Sequence, residues 1–236
     1  MVERASNEEL ESAYLSDERP VPWLFVNMVT TIDGATAIDG RSSDIGDEQD
    51  TVVFRVLRAV ADAVIVAGAT ARAEGYKRPR LPAHLAAWRR QSGLPSAPRI
   101  AVVSQSLELD LEPFEDEPPV IVTSESASAE RRRVLDAKTD VIVAGDERVD
   151  LAMAISELRR AGFGRLLSEG GPSLNGQLAA LGLVDEWCVT VAPLIVAGDS
   201  KRIVSGPPVP GEAADYRLDR AVAGTSSLFT RWLRSG

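Results

Sequence analysis

The stretch Val64-Ile65-Val66-Ala67-Gly68-Ala69-Thr70-Ala71-Arg72 decides how the rest of the chain is read. Its first residues are continuously apolar and mostly β-branched, the signature of a parallel strand covered on both faces. Gly68 then turns that strand directly into a helix start. A second stretch repeats the device: Leu166-Leu167-Ser168-Glu169-Gly170-Gly171-Pro172-Ser173-Leu174, with Pro172 suited to a first helical turn. At both junctions bare N–H groups and the positive end of a helix dipole converge on one spot, a seat for phosphate. Glycine lets a ligand approach the backbone closely. Two such seats can hold the two ends of a dinucleotide pyrophosphate, although simple tight turns leave the same trace. Neither stretch matches the Rossmann fingerprint or the Walker loop. Thr70 either bonds phosphate or caps a helix. Glu169 either orients a ribose or substrate group or only favours the helix N-terminus.

Outward from these junctions strand and helix alternate. Trp23–Ile32 reads as the first strand and residues 34–46 as a loop rich in Gly, Ser and Asp. Asp47 is placed to cap a helix whose stripe is Val53, Val56, Leu57 and Val60. Short apolar runs recur at Ile100–Val103, Val120–Val122 and Val141–Ala144, with helices expected from about Ser126 to Asp136 and near Ala83–Arg90. After Asp150, Leu151, Ala154, Ile155 and Leu158 mark another amphipathic helix, ended by Gly162. Trp187–Ile195 and Leu228–Leu233 are strand-like with no helix between them, which predicts an antiparallel addition. The pattern predicts an α/β fold: an open, mostly parallel sheet with helices on both faces and an antiparallel C-terminal strand pair. Residues 1–20 read as a flexible arm and 21–236 as a single domain.

Composition narrows the function classes. With 236 residues and a formal charge of −9, the surface repels nucleic acid and anionic membranes, while a local pocket of Arg and backbone N–H groups can still take a phosphorylated small molecule. A single cysteine, Cys188, and a single histidine, His84, preclude an internal disulfide and the usual zinc sets, so no metal is expected. No apolar run reaches membrane-spanning length, and the acid-rich start lacks the pattern of a signal peptide, so the cytoplasm is expected. Cys188 reads as packing, His84 as surface, and Arg131-Arg132-Arg133 as a solvent face. Lys77, Arg78 and Arg80 form either a phosphate site or a solvated loop.

A third candidate site is Asn27 with Thr30-Thr31-Ile32-Asp33-Gly34, where a strand ends in Asp-Gly beside a loop. The bland alternative for Asp33 is a turn residue. Four pieces, in order, carry a resemblance: Thr31-Ile32-Asp33-Gly34; Leu57-Arg58-Ala59 with Ala61-Asp62-Ala63 leading into Gly68-Ala69-Thr70; Ser168-Glu169-Gly170-Gly171-Pro172; and Leu183-Val184-Asp185-Glu186 running to Ala192-Pro193. From about Trp23 to Leu233 the chain resembles the C-terminal reductase domain of riboflavin biosynthesis enzymes and its stand-alone archaeal and fungal relatives.

That resemblance implies a dihydrofolate-reductase-like sheet, a homodimer, and NADPH bound across two junctions. Gly68, Thr70 and Arg72 would hold it on one side, and Glu169, Gly170, Gly171, Pro172 and Ser173 on the other. Ser104 falls where relatives hold the adenosine 2′-phosphate. The implied reaction passes a hydride to C1′ of a ribosylamino-pyrimidine 5′-phosphate, giving the ribitylamino form. Asp33 and Glu169 are the implied catalytic residues, Asp33 handling the proton and Glu169 orienting the sugar end, with Asn27, Asp33 and Ser42 contacting substrate. Four departures fall on the substrate side: Asn27, where many bacterial members carry lysine; Ala35, often lysine; Asp44, usually tryptophan; and Glu74-Gly75-Tyr76 in place of an Asp-Asp-Pro type turn. They leave two alternatives open, a pterin reductase and a non-catalytic NADPH-binding module. The His/Cys zinc constellation of a deaminase does not occur, so deamination is not expected of this chain.

Overall fold

The computed structural model describes residues 3–38, 40–42, 44–115, 117–206, 208 and 214–235. Nine strands form one sheet among them: β1 (Trp23–Thr31), β2 (Ala63–Ala67), β3 (Arg99–Val103), β4 (Val120–Thr123), β5 (Val141–Val143), β6 (Arg165–Ser168), β7 (Glu186–Ala192), β8 (Tyr216–Ala223) and β9 (Leu228–Arg234). Their order is β5-β4-β3-β2-β6-β1-β7-β9-β8. Every neighbouring pair from β5 to β7 is parallel, and β9 alone runs against the rest.

Side chains alternate across each strand, and the alternation splits the core in two. Phe25 of β1 and Val64 of β2 face α2 (Glu48–Val60), meeting Val53, Val56 and Leu57. Leu24 and Ile65, one residue along, face the other way and pack with Ile155 and Leu158 of α6 (Leu151–Arg160) and Leu174 and Leu178 of α7 (Pro172–Ala180). Helices α3 (Gly68–Ala73), α4 (Ala83–Gln91) and α5 (Ala129–Asp136) complete the cover. Arg89 of α4 is buried and donates to the Ala59 carbonyl at 2.7 Å, satisfying an orphan acceptor at the end of α2.

The expected flexible arm over residues 1–20 is not what the described residues form. Residues 7–15 are helix α1 (Asn7–Leu15), closed by a capping box in which Ser6 accepts from Glu9 N and Glu9 accepts from Ser6 N. Leu10 and Tyr14, four apart and hence on one face, are fully buried against the α2 side of the core. Arg19, also buried, grips Glu186 of β7 at 2.7 Å. A segment whose composition is polar is thus held by buried apolar side chains and by buried ion pairs from Asp17 and Arg19.

Two smaller differences concern the C-terminal strands. β7 ends at Ala192 rather than Ile195, because Pro193 has no N–H to continue a ladder. β8 was not foreseen: Arg217, Asp219 and Arg220 break its apolar alternation, as suits an exposed edge strand.

Candidate active site

The site begins where β1 and β6 part. Their pairing ends at Val26↔Ser168, after which the chain leaves β6 through Glu169–Gly171. β1 continues, and its residues 27–31 pair only with β7. The β6-facing edge of β1 therefore has no strand beside it there, and a cleft of about 1090 Å³ opens at the C-terminal ends of the parallel strands. Ligands of open α/β sheets sit in such crevices.

The two glycine junctions lie side by side on one flank. Glu169 N donates to Ile65 O at 3.0 Å and Ala67 N to Gly170 O at 2.8 Å, tying the end of β6 to the end of β2. A methyl group on Gly171 would come within 2.6 Å of Thr70 Oγ1, and one on Gly68 within 3.1 Å of Ser104 Oγ. Gly171 therefore lets the two turns touch, and Gly68 lets the first lie against the end of β3. Helices α1, α2, α5 and α6 each carry a side-chain cap, from Ser6, Asp47, Ser128 and Asp150, whereas α3, α4 and α7 have none. The first N–H groups of α3 and α7 are thus unclaimed by side chains. Ala69, Thr70, Gly171 and Pro172 border the cleft beside them.

Glu169 is the best-fixed side chain in the site. Arg58 of α2 grips it bidentately, Nε to Oε1 and Nη2 to Oε2, both at 2.7 Å, and the Tyr76 hydroxyl donates to Oε2 at 2.6 Å. Burial works against the Arg58 charge, but Glu169 and Tyr76 outweigh it and hold its pKa above the ordinary value. Burial and the Glu169 charge together push the Tyr76 phenol up, so it stays a donor. Arg58 also lies over the Phe54 ring at 4.1 Å. Neither Arg58 nor Tyr76 was singled out as a site residue from sequence. The signal for Arg58 was a cation inside an apolar helical stripe, beside Val56 and Leu57.

The other expected residues scatter by role. Asn27 borders the cleft, and its Oδ1 is buried with no hydrogen-bond partner. Ser42 borders it too, its N–H and hydroxyl both donating to Glu74 Oε1 at 3.0 Å. Asp33 is exposed and is not among the residues lining the cleft. Its carboxylate accepts from the Thr31 hydroxyl and from the N–H groups of Val196 (3.1 Å) and Ala197 (2.7 Å), and those bonds, Thr31 first, lower its pKa. Val196 and Ala197 do line the cleft. Arg72 is exposed and donates to Glu108 O at 2.9 Å, while Ser104 is buried and accepts from Leu107 N at 3.1 Å. Ser173 is exposed at the start of α7. Lys77, Arg78 and Arg80 line the mouth, with Arg78 paired to Glu117 at 3.1 Å and Arg80 to Glu115 at 2.6 Å.

Asp50 was not among the site residues expected from sequence. It reaches the cleft from the first turn of α2, and burial raises its pKa. Cys188 is fully buried and donates to Glu186, and His84 is exposed beside Glu11 at 2.9 Å. No cluster of metal-ligating side chains occurs among the described residues, and no helix among them is long and apolar enough to cross a membrane.

Comparison with known proteins places this architecture. The 2,5-diamino-6-ribosylamino-4(3H)-pyrimidinone 5′-phosphate reductase of Methanothermobacter thermautotrophicus is 36% identical over 203 residues, covering 84% of this chain and 90% of that protein. A pyrimidine reductase-like protein from Corynebacterium diphtheriae superposes with a TM-score of 0.85 at 24% identity, covering 96% of this chain and 99% of the other. The fold also matches dihydrofolate reductase from Enterococcus faecalis, complexed with NADP(H) and RAB-propyl, with a TM-score of 0.51 at 13% identity over 91% and 98% of the two chains. The family model described as the RibD C-terminal domain matches residues 22–227, from the entry of β1 to the turn before β9. With that match spanning both junctions and the cleft they border, the chain belongs to the RibD C-terminal domain family.

Proposed function

We propose that this protein uses NADPH to reduce a ribosylamino-pyrimidine 5′-phosphate to its ribitylamino form, a step of riboflavin biosynthesis. The observation that carries the reading is the Arg58–Glu169–Tyr76 cluster, fixed at the cleft beside two touching glycine junctions. The name of the Methanothermobacter relative supports the substrate class. NADP(H) in the Enterococcus neighbour supports the cofactor.

The residues present fit a nicotinamide dinucleotide. The uncapped starts of α3 and α7 offer N–H donors to a pyrophosphate, and glycine keeps the approach clear. Bound there, NADPH supplies the hydride, while the protein supplies position and electrostatics. Gly68, Thr70, Arg72 and Ser104 would hold the cofactor from the first junction, and Glu169, Gly170, Gly171, Pro172 and Ser173 from the second junction beside it. Glu169 orients the sugar end of the substrate from a carboxylate that three hydrogen bonds keep in one place. Ser42 and Asn27 contact substrate from the facing wall. Asp33, held ionised, serves by fixing residues 196–197 along the cleft rather than by donating a proton. Lys77 at the mouth meets the substrate phosphate. The enzyme works as a homodimer in the cytoplasm, and exposed Ile32 and Ile195 offer apolar surface for a second copy.

The test follows NADPH oxidation by the purified protein with the aminated pyrimidine phosphate, its deaminated form and dihydrofolate. Turnover on a pyrimidine is expected, and Glu169→Gln should lower kcat by roughly 100-fold, the scale of losing one fixed polar group at a reacting centre. Turnover on dihydrofolate alone would replace this reading by a pterin reductase. NADPH binding without oxidation of any of the three would leave a binding module.

A further inference from the structure

The wall of the cleft facing the glycine junctions carries acceptors in need of donors. Asp50 stands on α2 one residue before Thr51, and both border the cavity. Val29 pairs in register with Thr190, so Thr190 lies beside the part of β1 that α2 covers. The Thr190 hydroxyl favours the ionised Asp50 carboxyl, whereas Asp47, of like sign, disfavours it. Asp50 forms no ion pair among the described residues, in contrast to Glu169, whose partner Arg58 comes from the same helix two turns on. A methyl group at Gly46 would collide with Asp50 Oδ2, so a residue without a side chain clears the space that the carboxyl occupies. Two residues before Val29, Asn27 shares its face of the strand and holds a buried Oδ1 with no donor. A carboxylate left without a cation and an amide oxygen left without a donor are costly unless something fills the cleft and donates to them.

We infer that Asp50 reads the edge of the substrate ring, its carboxylate accepting two parallel N–H bonds from the ring N–H and exocyclic amino group of a 2-aminopyrimidin-4-one. The geometry of that pair matches the fork of a carboxylate. A uracil edge offers one N–H flanked by carbonyl oxygens, which would face the carboxylate oxygens and repel them. Asp50 thereby selects the aminated ring over the deaminated one. This rests on the pyrimidine reading of the cleft and adds which pyrimidine it takes and by which residue. Burial raises the pKa of Asp50, as expected of a carboxyl held ready for a ligand that brings its own positive edge.

Two measurements on wild type and Asp50→Asn test it. The first compares kcat/KM on the aminated and deaminated phosphates. The second compares binding, by calorimetry with NADPH present, of the free rings 2,5,6-triaminopyrimidin-4-one and 5,6-diaminouracil. In the wild type the aminated forms should win in both. In Asp50→Asn, whose amide presents one acceptor and one donor, that preference should fall by about 10–100-fold, the range for hydrogen bonds to a charged group. NADPH affinity should stay unchanged. An equal loss on both rings, or an unchanged ratio, would overturn the role of Asp50 while leaving the reductase in place. Wild-type protein that turns over neither phosphate, yet loses ring preference in the variant, would instead sink the reductase reading and keep the ring-reading residue.

Discussion

Asp50 and Glu169 are two carboxylates in one cleft held in opposite ways. Glu169 is paired, bonded three times and immobile, while Asp50 is half-buried with only a hydroxyl to oppose its desolvation. The difference has a consequence for stability. The folded-state pKa of Asp50 is raised above its ordinary 3.8, so folding favours its protonated form. Its ionised form is therefore a cost to the fold above the folded pKa, and that cost vanishes as pH falls below 3.8. Asp50→Asn should accordingly unfold at higher urea concentration than wild type at neutral pH, with the two curves converging in acid. A variant less stable than wild type at neutral pH would show that Asp50 is structural. Asp50 was not legible from sequence because an acidic residue in a first helical turn is ordinary. Tyr76 hid for another reason, since its phenol meets Glu169 across a sequence separation of 93 that only the folded chain closes.

At the scale of elements the sequence spoke clearly wherever local chemistry decides. Asp47 and Asp150 cap their helices as expected, and Pro172 opens α7. The two glycine junctions fall at the ends of β2 and β6, which pair directly. Their mutual contact was not legible, since strand order is a property of the sheet and not of either stretch. That contact can be tested. Gly171→Ala would press a methyl group against Thr70 Oγ1, and overpacking of this kind costs about 1–3 kcal/mol. Adding Thr70→Ala should recover most of the loss in a thermal or urea melt. Additive losses in the double variant would mean that the junctions do not bear on each other. β8 and α1 escaped notice because charged residues break the one pattern and dilute the other, leaving Leu10 and Tyr14 as the only trace of a buried face.

Across the whole molecule, an ion network joins the start of the chain to its end. Glu186 is buried between Arg19 and Arg231 and also accepts from Trp23 Nε1 at 2.9 Å. Asp17 extends the network to Arg220 of β8 at 2.6 Å. Burial alone would raise the Glu186 pKa, but the two guanidinium groups outweigh it and bring it from 4.5 to about 2. Its contribution is complete above 4.5 and is lost as pH falls through about 2, which amounts to about 3 kcal/mol at most. Acid titration of stability should therefore be steeper in wild type than in Glu186→Gln between these limits. Glu186→Gln should itself lose up to about 3 kcal/mol at neutral pH, since Arg19 and Arg231 give up their shared buried partner and keep only Asp17 and Asp219. A variant as stable as wild type would mean that solvent reaches the two arginines.

The open edge of β1 bears on how this cleft can change. Beyond Val26 no strand lies on the β6-facing side of β1, so one boundary of the cavity is peptide backbone. Backbone atoms are the same whatever the codon specifies. A compound anchored on that edge would address a surface that point mutation scarcely alters, whereas one relying on Asp50 or Tyr76 could be escaped by a single nucleotide change. Drug resistance and the drift of substrate preference would then share a path, through α2 and the loops, with the strand edge as the fixed point for both.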